Sequence, residues 1–212
     1  MPLIKRVKKT VVRAWRGNPP YQEKRRGGME NRWGMIAAEI SAGESTLLDL
    51  GCNLGVFTRK AAEAGLISLG IDTDAGVIKK ARALHEGVPG LGFMIMDLSP
   101  REIARLPEFD VTLCLSVHHY WAKEFGLEVS WEMMRTLLTH TRSKLFFEPA
   151  SIRSKYKESA PDIVDLDRDS IIESNVTALR RIAPAAYTVR YLGETPCIGK
   201  EPFRLLFVAE RG

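Results

Sequence analysis

Short apolar runs alternate with amphipathic stretches along most of the chain. Thr46–Leu50, Ile67–Ile71, Gly92–Met96, Val111–Leu115 and Lys144–Phe147 read as strands. The early ones are apolar along their length rather than alternating, as strands covered on both faces should be. Between them the period changes to that of a helix. Val56–Ala64 and Ala75–His85 follow it, the second with Val77, Ile78, Ala81 and Leu84 on one face. Glu128–His140 likewise gathers Trp131, Met134, Leu137 and Leu138. A further helix, Gly34 to Ile40, leads into the first strand. Strand–helix alternation predicts right-handed crossovers and an open parallel sheet, an α/β fold. Tyr187–Leu192 and Arg204–Ala209 have only the loop Gly193–Pro202 between them. They predict a hairpin, which sets one antiparallel strand in the sheet.

Composition changes this picture only at the amino end. The chain has 212 residues, enough for one domain with its own core. No apolar run is long enough to cross a membrane. Cys52, Cys114 and Cys197 are scattered, with no paired-cysteine or Cys/His cluster, so neither a disulfide framework nor a zinc site is suggested. No metal is expected. Residues 1–28 hold nine Lys/Arg against Glu23, a net +8; with +5 overall, residues 29–212 sum to −3. Ile4, Val7, Val11 and Trp15 recur there at helical spacing among the bases. The segment 1–28 therefore reads as a basic arm or lid, and 29–212 as the domain. Such an arm suits an anionic membrane surface or an anionic acceptor. With no apolar signal core after it, the expected location is the cytoplasm, with peripheral contact at the inner membrane surface.

Ligands of open α/β sheets bind beyond the carboxyl ends of the strands. Polar groups stand at five successive strand ends here. The first end is Asp49-Leu50-Gly51-Cys52-Asn53-Leu54-Gly55, a turn whose glycines let backbone N–H groups approach a ligand at a helix amino end. Asp72 ends the second strand and Asp97 the third. Ser116-Val117-His118-His119-Tyr120-Trp121 follows the fourth, and Glu148-Pro149 the fifth. Asp72 is placed to bind a ribose diol. A nicotinamide dehydrogenase shares that logic, but Asp49 would repel a pyrophosphate and Asn53 stands at the middle position of the fingerprint. A carboxylate there suits a cationic, amino-acid-like ligand, which favours S-adenosylmethionine over NAD.

Asp49-x-Gly51-x-Asn53-x-Gly55, Gly70-Ile71-Asp72 and Asp97 together resemble the cofactor motifs of class I S-adenosylmethionine-dependent methyltransferases, over about Thr46 to Gly212. The resemblance implies a seven-stranded, doubly wound Rossmann-like sheet of order 3-2-1-4-5-7-6. It places Asp49 and the turn, Cys52 included, around the methionine part of the cofactor, and Asp72 on the ribose. It has Asp97 accept from the adenine amino group and Leu98 offer its backbone N–H. Ser116 falls on the same side. Leu115–Trp121 and Phe146-Phe147-Glu148-Pro149 look like two narrower groups. One is the methyltransferase domain of O-antigen chain-terminating kinase–methyltransferases; the other is the methylphosphate capping enzymes of RNA 5′ ends. Both methylate a phosphate oxygen, which implies an anionic acceptor, glycan or phosphate-bearing, with RNA as the alternative.

On the acceptor side, His118, His119 and Glu148 are the candidate catalytic groups, a histidine serving as base for a hydroxyl. A phosphate acceptor needs positive donors instead, and Arg153, Lys155 and Lys157, with Tyr156 between the last two and Tyr120 after the fourth strand, are candidates. Arg32 is a candidate partner for the cofactor carboxylate, and Tyr21 and Arg26 for closing over the acceptor. Asp162, Asp165, Asp167 and Asp169 read as a solvated turn without metal-loop spacing. A binding protein without catalysis is the remaining reading.

Overall fold

The computed structural model describes residues 19–149, 167–196 and 203–212. Helix α1 (Pro19–Glu39) precedes strand β1 (Thr46–Leu50). Then follow α2 (Val56–Glu63), β2 (Ile67–Asp72), α3 (Ala75–Leu84), β3 (Leu91–Ile95) and the short α4 (Pro100–Ile103). Next come β4 (Phe109–Leu115), α5 (His118–Phe125), α6 (Leu127–Thr139) and β5 (Thr141–Glu148). Helix α7 (Arg168–Ile182), β6 (Tyr187–Pro196) and β7 (Phe203–Arg211) complete the order.

The sheet has seven strands in the order β3-β2-β1-β4-β5-β7-β6. Strands β1 to β5 pair in parallel; β7 runs antiparallel to both β5 and β6. Two apolar layers sandwich it, because successive strand residues face opposite sides. Leu48, Leu50, Cys114, Leu145 and Phe147 pack under α6 and α7 residues such as Met134, Leu137 and Leu179. Leu47, Leu113, Phe146 and Val208 pack on the other side with Ile36 of α1 and Ala61 of α2. The central strands are therefore buried on both faces, as their apolar runs require.

Several elements differ from the sequence reading. Helix α1 is continuous from Pro19 through Gly27, Gly28 and Asn31 to Glu39, so it crosses the expected boundary at residue 28. Proline is tolerated in a first helical turn, and two glycines weaken a helix without ending it. The acidic run contains a helix start. Asp167 accepts from the backbone N–H of Asp169 (2.9 Å) and Ser170 (3.0 Å), which makes it the N-cap of α7. Strand β5 begins three residues before the expected Lys144, held by paired threonines: Thr112 and Thr141 hydroxyls lie 2.8 Å apart.

Parallel strands bring the carboxyl ends of β1, β2, β4 and β5 to one edge. Because β7 is antiparallel, its amino end arrives at that same edge beside β5. This places Arg204, the second residue of β7, at the crevice.

Candidate active site

The turn between β1 and α2 is built from the strand upward. Gly51 (φ 66°), Asn53 (φ 53°) and Gly55 (φ 72°) are left-handed, a conformation glycine adopts without cost. At Gly55 a Cβ would lie 2.3 Å from the Phe93 ring, and at Gly51 one would lie 2.7 Å from Val117. The turn is therefore packed as tightly as its glycines permit. Cys52 N–H donates to Ile71 O (3.0 Å), and Gly55 N–H to Cys52 O (2.9 Å). His85 buttresses it from α3's end: its Nε2 donates to Leu54 O (2.8 Å) while its ring stacks on Phe93. His85 and Thr58 were not foreseen; a lone histidine and a helix threonine carry no sequence signal.

Asp49 is 3% exposed. Its Oδ2 accepts from Thr58 Oγ1 (2.7 Å) and from Thr58 N–H (3.1 Å), which also caps the first turn of α2. Burial nevertheless outweighs those hydrogen bonds and pushes its pKa up to about 7; Asp72 adds repulsion. A buried carboxylate so far above its usual range calls for a cation, and a ligand ammonium would meet that need.

Asp72 does two things. Its Oδ2 accepts from Asn53 N–H and its Oδ1 from Asp74 N–H, each at 3.0 Å, so it fixes the turn. The N–H of Asn53 is thus directed to Asp72. The carboxylate stays half-buried at the β2 end, its pKa raised by burial, with lone pairs left for a diol. Asp74, not Asp72, caps α3. Met96 N–H donates to Asp72 O (3.2 Å), which brings the exposed Asp97 and the buried Leu98 to the same edge. Cys52 is buried among Gly70 and Thr58, and burial, with Asp49 and Asp72, pushes its thiol far up; it is a packing group.

At the ends of β4, β5 and β7 four side chains meet. Glu148 is 1% exposed. Its Oε2 faces Arg32 Nε (2.9 Å) and its Oε1 accepts from Arg204 Nη1 (2.7 Å). Ser116 Oγ donates to Glu148 Oε1 and accepts from Arg204 Nη1, and its backbone N–H donates to Glu148 O (2.9 Å). Burial alone would raise Glu148; Arg32 and Arg204 outweigh it and hold the carboxyl below its usual range. Ser116 is held with φ 58°, strain that non-glycine residues keep where the surroundings impose it. Arg32 therefore has Glu148 as its partner, where a cofactor carboxylate was expected. Glu148 is an ion-pair hub rather than a poised acid or base. In the sequence Arg204 stands out only as the first residue of a predicted strand.

His118 and His119 open α5, and both are buried. The His118 ring lies 4.2 Å, between centroids, from Trp131 and edge-on to Phe147. Ser130 Oγ donates its one proton to Leu127 O (2.6 Å), so at the 3.1 Å contact with His118 it must accept. His118 is thereby set as the Nε2–H tautomer, and burial with the nearby His119 pushes its pKa down to about 3. It is a neutral packing histidine under the crevice. His119 packs against Tyr120, 4.1 Å between ring centroids. Arg153, Lys155, Tyr156 and Lys157 lie outside the described residues, as do the side chains of Tyr21 and Arg26. Among the described residues no group of three His, Cys, Asp or Glu is arranged to hold a metal ion.

The turn, Asp49, Asp72 and Asp97 lie along one edge of the sheet, where the three carboxylates could accept from an ammonium, a diol and an amino group, a set that fits S-adenosylmethionine. The family described as "Methyltransferase domain" matches residues 48–144. No curated protein matches the chain. Among solved structures, WbdD in complex with the kinase inhibitor LY294002 is 26% identical, with a TM-score of 0.66 over 84% of this chain and 40% of its own. The bifunctional kinase–methyltransferase WbdD is also matched at 23% identity and TM-score 0.65, over 91% of this chain and 42% of that one. The chain thus spans about two fifths of WbdD. The magnesium protoporphyrin IX methyltransferase ChlM from Synechocystis PCC 6803, with bound SAM, is 18% identical. Its TM-score is 0.62 over 96% of this chain and 92% of its own, a likeness of fold. Sheet order, crevice and family match together show that this chain carries a class I S-adenosylmethionine-dependent methyltransferase domain.

Proposed function

We propose that the chain transfers a methyl group from S-adenosylmethionine to an already ionised oxygen of an anionic acceptor, a glycan or phosphoglycan. One observation carries this reading: two of the three candidate proton acceptors on the described acceptor side are committed elsewhere. His118 is neutral, buried and tied to Ser130. Glu148 is held ionised by two arginines. A hydroxyl acceptor needs a base near neutrality; a phosphate or carboxylate oxygen does not. The resemblance of Leu115–Trp121 and Phe146-Phe147-Glu148-Pro149 to phosphate-methylating enzymes supports an acceptor of that kind.

The cofactor supplies a sulfonium methyl open to in-line attack. The chain's part is to hold the two reactants. Asp49 takes the ammonium, which keeps its own carboxyl ionised. Asp72 orders the turn and the ribose, and Asp97 the adenine. Ser116, fixed by Glu148, shapes the crevice between cofactor and acceptor. Positioning and exclusion of water then lower the barrier. We place this activity in the cytoplasm, with the basic residues 1–28 drawing the enzyme to an anionic surface; no helix among the described residues is long and apolar enough to cross a membrane.

The test is transfer of labelled methyl from S-adenosylmethionine to cell-derived glycan fractions, with and without prior phosphatase treatment, beside total RNA. The expected result is label in the untreated glycan, lost after phosphatase. Label in RNA alone would move the acceptor to nucleic acid. Tight cofactor binding with no label anywhere would make the chain a binding protein.

A further inference from the structure

The turn between β1 and α2 is held in two halves. Strand β2 secures the first: Cys52 N–H donates to Ile71 O (3.0 Å) and Asn53 N–H to Asp72 Oδ2 (3.0 Å). The second half is Leu54-Gly55. Among the described residues its one side-chain hydrogen bond comes from His85, whose Nε2–H donates to Leu54 O (2.8 Å). A peptide group is planar and trans, so its carbonyl and its N–H point opposite ways. Leu54 O, turned to His85, therefore directs Gly55 N–H to the other side, where it donates to Cys52 O (2.9 Å). Both poles of this peptide are tied, and the last left-handed residue of the turn, Gly55 (φ 72°), is fixed with it. Gly55 is also the N-cap of α2 and has no side chain to hold the helix start. Thr58, in the first turn of that helix, gives its N–H and its hydroxyl to Asp49 Oδ2. A line of contacts thus runs from His85 to the carboxylate assigned to the cofactor's ammonium.

His85 itself stands on a fixed base. It ends α3, with its backbone N–H on Ala81 O (3.1 Å). Arg82, in the last turn of α3, donates to Phe93 O (2.7 Å). The His85 ring stacks on the Phe93 ring, 5.9 Å between centroids and 28° between planes. Phe93 pairs with Gly70 of β2 and carries the ring that a Cβ at Gly55 would strike. The end of α3, the middle of β3 and the second half of the turn are therefore packed as one unit.

We propose that His85 is a positioning residue for the cofactor. It holds Leu54-Gly55, and through them the start of α2, in the geometry that S-adenosylmethionine binds, before the cofactor arrives. This deepens the function proposed above and rests on it. Holding a loop in its bound conformation raises affinity by removing the cost of ordering it on binding. The hydrogen-bond donor does this work, and stacking on Phe93 anchors the donor. A residue that only packed would need its ring and not its N–H, so substitution separates the two roles.

The experiment is calorimetric titration of S-adenosylhomocysteine into the full chain and into two variants. His85→Phe keeps a ring against Phe93 and loses the donor; it should bind about fivefold more weakly, the loss of one hydrogen bond. His85→Gln loses the ring but carries an amide N–H that reaches where Nε2 stood; it should bind within about twofold of the wild type. Affinity unchanged in His85→Phe, or a loss that His85→Gln does not restore, overturns the proposal. If either variant does not fold, nitrogen NMR of His85 in the unliganded wild type at about pH 8 decides: a proton on Nε2 supports the hold on Leu54 O, and a proton on Nδ1 overturns it. Failure in the variants with S-adenosylhomocysteine still bound by the wild type leaves the methyltransferase reading standing. Absence of S-adenosylhomocysteine binding in the wild type overturns that reading, and this proposal with it.

Discussion

Asp49 makes cofactor affinity a function of pH. In the unliganded protein burial raises its pKa to about 7. An ammonium placed against it favours the ionised form, so below that value binding must first release a proton. Apparent affinity then falls tenfold for each pH unit well below the free-state pKa, and going from about pH 8 to about pH 5.5 should weaken S-adenosylhomocysteine binding about 30-fold, or about 2 kcal/mol. The assay is calorimetry at several pH values in two buffers of different ionisation heat, which also counts the proton released. Asp72, raised by burial too, adds its own dependence. Asp49→Asn divides the two: it should bind more weakly, by about 1.5–3 kcal/mol for the lost charged contact, and with a flatter pH profile. Affinity independent of pH between about 5 and 8 in the wild type would refute the placement of a cation on Asp49.

Other consequences follow from the same geometry. Without ligand, the raised Asp49 pKa contributes stability below the unfolded value near 4 that is lost as pH rises through about 7, so Asp49→Asn, which keeps an acceptor for Thr58, should be more stable than wild type near pH 8, by up to about 4 kcal/mol in thermal or urea unfolding. His118 should show no imidazole titration by NMR between about pH 5 and 8; a midpoint near 6.5 would return it to the list of bases. Gly55→Ala should cost about 1–3 kcal/mol of stability and weaken cofactor binding, because its Cβ would meet Phe93 at 2.3 Å in a left-handed turn. Deleting residues 1–16 should leave S-adenosylhomocysteine affinity nearly unchanged and reduce binding to anionic vesicles, a loss that high salt mimics in the full chain; abolished cofactor binding would make the segment a lid.

The sheet was legible because its central strands are buried on both faces, and runs such as Leu47-Leu48 and Val111–Leu115 record that directly. Elements at the margins were not. Pro19, Gly27 and Gly28 resemble breaks, yet α1 runs through them, its later half pinned by Ile36 in the core. Helix α7 buries Ile171, Asn175, Leu179 and Ile182 at helical spacing, but the acidic residues before it drew attention to a turn instead of a cap. The placement of Asp49, Asp72 and Asp97 at neighbouring strand ends was legible because each sits in a local motif that directly follows an apolar run. The acceptor side was not, because Glu148 meets Arg204 across 56 residues and Arg32 comes from a different layer. The same distance hides why Glu148 is no base: its neighbours, not its identity, fix its charge.

The central claim is that this crevice is built for a sulfonium nucleoside with an amino-acid end rather than for a dinucleotide. A calorimetric competition tests it most directly, with S-adenosylhomocysteine titrated into the chain alone and in the presence of excess NAD near pH 8. Saturable binding of S-adenosylhomocysteine, undisturbed by NAD and weakened about 1–3 kcal/mol in Asp72→Ala, is the predicted result. Tight NAD binding without any S-adenosylhomocysteine signal would contradict it.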